Sequence, residues 1–123
     1  MTNFLAVFLG GGLGALTRYL IYLATPKNCY MPYSTMIANF LGCFLASLIF
    51  TYFVSKNDTD SINQIFLITG FCGGLSTLSA LSLEVLEFIQ SGDYIRAFVY
   101  ILTSLLICTI SVILGISVVK KYV

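Results

Sequence analysis

Apolar and polar positions alternate along this chain in blocks far longer than a strand or an amphipathic helix. Four hydrophobic runs, Phe4–Ala24, Tyr33–Val54, Ile62–Ile89 and Arg96–Val119, are separated by the short polar stretches "TPKNCYMP", "SKNDTDS" and "QSGDY". Each run meets or exceeds the roughly 17–25 residues a helix needs to cross a bilayer. The pattern predicts an all-α integral membrane protein: a single four-helix transmembrane domain over residues 1–123. Pro26 and Pro32 bracket the first connection and Gly92 marks the third, as turn chemistry requires. The first run lacks a charged start and a small-residue cleavage site, so it reads as a true span and not a signal peptide.

Composition sharpens this picture. Of 123 residues, 59% are hydrophobic and 9% charged, against about 25% charged in soluble domains. The chain cannot cover a water-facing surface. A net charge of +1 leaves no basic patch for nucleic acid. Histidine is absent, which excludes a histidine relay or metal site. The four cysteines, Cys29, Cys43, Cys72 and Cys108, show no C-x-x-C spacing and read as small buried thiols. Four spans place both termini and Lys56, Lys120 and Lys121 on one side, with Lys27 and Arg96 on the other and Arg18 just inside the membrane. This weak bias permits insertion in both orientations. Four helices enclose little interior, so a pathway calls for a second copy. Two oppositely inserted copies would form the inverted arrangement that many transporters hold within one chain.

Polar groups inside the spans are costly and are functional candidates by default. In "GGGLGALTRY", the Gly10 to Gly14 spacing lets helix backbones approach closely. Arg18 either snorkels to the interface or lends positive potential to an anion vestibule. In the second span, Asn39 shares a helix face with Thr35. Its amide is either interhelical glue or a neutral donor to a passing ion. The third span holds "GFCGGLSTLSALSLE". Glycines followed by Ser76, Thr77, Ser79 and Ser82 predict a break, tolerable only inside protein or beside a water-filled cavity. Freed carbonyls there can hold a cation, and freed N–H groups or hydroxyls an anion. Glu84 is deep, as a proton carrier or a fixed partner to hydroxyls or Arg18, whereas Glu87 reaches water. Tyr100, Thr103 and Ser104 are the fourth-span candidates, with Thr109 and Ser111 free to back-bond to their own helix.

Together, "GGGLGALTRY", "TMIANFLG" and "GFCGGLSTLSALSLE" resemble the Fluc/CrcB family of bacterial fluoride channels, in order and spacing through all four spans. The resemblance implies a fluoride-selective channel, not an enzyme. It would sit as a multi-pass protein in the bacterial cell membrane and pass fluoride out of the cytoplasm without energy input. It implies a dual-topology dimer with two antiparallel pores, a broken third helix, and a structural sodium ion at the dimer centre. By motif position the sodium would meet the carbonyls of Gly73 and Ser76. Asn39, Ser79, Ser82, Tyr100 and Ser104 would lie along the ion pathway, with Arg18, Thr35 and Glu84 beside it. Leu78 and Leu81 stand where the family carries phenylalanines whose ring edges face the ion, and Ala80 replaces a threonine. That departure keeps a second reading open: a partner subunit of a heterodimeric channel that does not conduct alone. A third reading, a proton-coupled small multidrug exporter, needs a carboxylate in the first span, where this chain has none.

Overall fold

The computed structural model describes residues 1–27, 29–58 and 61–122. Positions 28, 59 and 60, within the expected first and second connections, lie outside the described residues. The described residues form helices without strands: α1 (Thr2–Ala24), α2 (Tyr33–Ser55), α3 (residues 62–75), α4 (Leu78–Gln90) and α5 (Tyr94–Tyr122). Four spans are long and apolar enough to cross a membrane, the third being α3 and α4 together, Ile62–Gln90.

The helices overrun the hydrophobic runs by up to three residues because local capping, not hydropathy, sets their ends. Asp93 Oδ1 accepts from the Arg96 N–H at 3.1 Å and starts α5 ahead of the apolar stretch. Gly92, at φ +79°, takes the left-handed conformation that closes α4, and Asp93 N–H reaches back to the Phe88 carbonyl at 2.9 Å. Lys120 and Lys121 occupy the last turn of α5, where positive charge suits the carbonyl end of a helix.

Small residues decide which helices touch. α1 lies against α3 along Gly10 and Gly14 on one side and Gly70 and Gly74 on the other. A Cβ on Gly10 would come within 3.0 Å of the Gly70 Cα, and one on Gly74 within 3.1 Å of the Ala15 nitrogen. Without a hydrophobic drive between helices in lipid, such backbone-to-backbone approach supplies the packing attraction. Within α3, Ile65–Cys72 winds as a π-helix, and the Gly73 N–H bonds to the Ile68 carbonyl five residues back. Below it, α2 runs along α5, where Gly115 meets Ser47 and Leu48. α4 leaves the α1 side and packs on α5. The largest buried cluster is correspondingly small: Phe88, Ala97 and Tyr100, with Met31, Met36, Leu81 and Val85 against it. Large apolar side chains such as Phe4, Phe8, Leu105 and Ile113 point outward, as lipid allows.

A membrane-embedded break, a groove and two polar cavities

The third span breaks where its sequence turns from glycine to hydroxyl residues. Ser76 and Thr77 are extended, at ψ 149° and 122°. The Ser76 N–H and hydroxyl both donate to the Cys72 carbonyl, at 3.0 and 2.9 Å. An unbroken helix would pair the Thr77 N–H with the Gly73 carbonyl. Here that N–H donates to Asn39 Oδ1 at 2.6 Å, and Asn39 Nδ2 donates to the Thr77 carbonyl at 3.2 Å. The Ala80 N–H, which would serve the Ser76 carbonyl, goes to Thr77 Oγ1 at 3.3 Å and caps α4. The break therefore releases the carbonyls of Gly73 and Ser76 from their helical partners. Gly42 makes room for it on α2, since a Cβ there would fall 2.9 Å from the Ser76 Cβ.

Beside the break lies a groove of about 190 Å³, bordered by Asn39, Leu78, Leu81 and Ser104 among others. Ser104 is 3% exposed, and its hydroxyl has no hydrogen-bond partner among the described residues. Leu78 is 74% exposed, while Leu81 turns inward. Four of the seven expected pathway residues thus share one groove. Ser79 and Ser82 do not border it. Helical spacing puts Leu78 and Leu81 on one face of α4 and the two serines on the next, which is exposed. Ser79 pairs with Thr77 Oγ1 at 2.9 Å, and Ser82 back-bonds to the Leu78 carbonyl at 2.9 Å. Thr103 likewise donates to the Val99 carbonyl at 2.8 Å.

Tyr100 does not line the groove but stands behind Leu81, fully buried, with its ring edge-on to Phe88 at 5.8 Å. Its hydroxyl donates to Glu84 Oε2 at 2.5 Å, while Thr35 Oγ1 donates to Oε1 at 2.6 Å. Three helices therefore meet at one carboxylate. The structure makes Glu84 a partner to hydroxyls. No ion pair joins it to Arg18, although both line a cavity of about 310 Å³ with Ser34, Thr35 and Tyr19. Glu84 also borders an outer cavity of about 350 Å³ that holds Lys27, Glu87 and Arg96. The Arg96 guanidinium lies between the rings of Tyr30 and Phe88, at 4.5 and 4.3 Å. The two cavities share Tyr22, Ser34 and Glu84 in their walls, and Thr35 of the inner one stands one turn from Asn39 of the groove on α2.

Two roles lie beyond the candidates named from the sequence: Thr77 as the cap of α4, and Tyr30 and Phe88 as the Arg96 sandwich. Thr77 was visible as a hydroxyl three residues before Ala80 at a helix start. The aromatic sandwich joins three elements and left no local pattern.

The family described as CrcB-like protein, Camphor Resistance (CrcB), matches residues 5–116. The chain belongs to the CrcB-like family. Among its relatives, a protein of Flavobacterium psychrophilum is 37% identical over 123 residues, covering 98% of this chain and 99% of the relative. One from Hydrogenobaculum is 40% identical over 114 residues, covering 92% of this chain and 93% of its own. A third, from Pyrococcus horikoshii, is 42% identical over 109 residues, 89% of each. All three are named fluoride-specific ion channel FluC. As a CrcB-like protein, the chain is a multi-pass membrane protein and not an enzyme.

Proposed function

We propose that this CrcB-like chain is a fluoride-selective channel that carries fluoride passively out of the cytoplasm. The name shared by relatives that match almost its whole length carries the reading. Fluoride is small and strongly hydrated, so a pore must replace its water with donors while leaving it free to depart. Lys27, Arg96 and Arg18 place positive charge along the outer and inner cavities, where the carboxylates of Glu84 and Glu87 balance it. Further in, the Ser104 hydroxyl and the second hydrogen of Asn39 Nδ2 offer neutral donors on the groove wall. Asn39 does this while bracing the break, so both readings of its amide fit one geometry.

The channel would be a dimer of oppositely inserted copies. A sodium ion at its centre suits the freed carbonyls of Gly73 and Ser76, since hard cations take oxygen ligands. One copy supplies only these two carbonyls, so the remaining ligands would come from the second copy. The ion's contribution would be to hold the two breaks together.

Leu78 and Leu81 favour a second reading, that of a partner subunit. An aromatic edge carries partial positive charge, whereas a leucine offers only apolar contact. Fluoride efflux from liposomes containing only this chain, with chloride as control, separates the two. Fast fluoride-selective efflux establishes a working homodimer. Silence from well-folded protein removes the autonomous channel and points to a second subunit.

A further inference from the structure

The groove carries two thiols that the proposed pathway does not use. Cys43 on α2 and Cys108 on α5 lie on neighbouring helices that pack along each other. Both border the groove together with Asn39 and Ser104. Both are free and half-buried, whereas Cys72 is free but 2% exposed. Among the described residues, no group of three or more His, Cys, Asp or Glu side chains gathers to hold a metal.

Two sulfurs without a third strong donor select the ion. Structural zinc takes four ligands, and hard cations take oxygen. Soft sulfur donors instead select ions such as copper(I), and closed-shell monovalent ions of this class accept two sulfurs in a line. We propose that Cys43 and Cys108 form a two-sulfur site on the groove wall for a soft monovalent cation, copper(I) or silver(I). One thiol releases its proton to water and binds as thiolate. The other keeps its proton and donates a sulfur lone pair. No electron is transferred, and the loaded site is neutral, which suits its apolar surroundings. An ion there occupies the groove beside Asn39. The site rests on the placement of the thiols, and only its effect on transport depends on the pathway proposed above.

Silver nitrate in chloride-free buffer, titrated into the full chain carrying Cys29→Ser, tests the site without requiring conduction. Native mass spectrometry should show one silver ion per chain, and Cys43 and Cys108 should lose maleimide reactivity together. Cys43→Ser or Cys108→Ser should weaken binding about a hundredfold or more, because the second sulfur no longer binds intramolecularly. Two silver ions per chain, independent loss of the two reactivities, or unchanged affinity in either serine variant would overturn the proposal. The joint or independent protection of the thiols decides the matter even for a variant that does not fold. In liposomes, bound silver should arrest fluoride efflux until a dithiol removes it. Efflux that continues with silver bound would exclude the groove as the pathway and leave the site standing.

Discussion

Asn39 holds the break with an amide that matches a peptide group donor for acceptor and acceptor for donor. Replacing it with alanine strands a buried N–H and carbonyl of Thr77, at about 1–3 kcal/mol for an unsatisfied group. Asn39→Ala should therefore lower the melting temperature in detergent and slow fluoride efflux together. An unchanged melting temperature would show that the brace contributes little. At the same scale, Leu78→Phe with Leu81→Phe would return ring edges to the groove. Efflux should rise in the double variant, whereas an equal or lower rate would mean that the apolar wall is not what limits passage. The asparagine was legible in the sequence as a costly polar group in a span. Its partner was not, because Thr77 lies 38 residues away and takes part through its backbone, which leaves no side-chain signature.

Among the elements, the glycine seam and the broken third span do most to set the architecture. Gly12 and Gly14 stand two residues apart on α1 in opposite circumstances. A Cβ on Gly12 meets nothing within 4 Å, while one on Gly14 would press on the backbone of Phe71 and Leu75. Gly12→Ala should be neutral or stabilising by up to about 1 kcal/mol through helix propensity. Gly14→Ala should cost about 1–3 kcal/mol through overpacking. Thermal unfolding of the two variants side by side checks this, and equal shifts would sink the seam. The existence of the break could be read from Gly73, Gly74, Ser76 and Thr77, and the close approach from the Gly10 to Gly14 spacing. Neither the π-helix over Ile65–Cys72 nor the turning of α4 toward α5 could be read so. The π-helix lies against α1 and α4 against α5, and such contacts leave no local sequence pattern.

For the whole molecule, the near-balance of Lys27 and Arg96 against Lys56, Lys120 and Lys121 bears on insertion. An impermeant maleimide applied to intact cells should label Cys29 in only part of the population, with the remainder labelled after the membrane is opened. All-or-none labelling would establish a fixed orientation and so favour a heterodimeric partner. Replacing sodium with a bulky organic cation should lower both the melting temperature and the proportion of dimer. Indifference to the exchange would remove the central ion from the assembly. The last helix adds a variable of another kind. At 29 residues, α5 is about 43 Å long, against a hydrocarbon thickness near 30 Å. It must lean, project, or stretch the lipid around it, each at a modest cost per ångström of mismatch. Because α4 and α2 both rest on α5, acyl-chain length becomes a mechanical setting on the groove, and thinner bilayers should alter its width by tilting the helix that forms one wall.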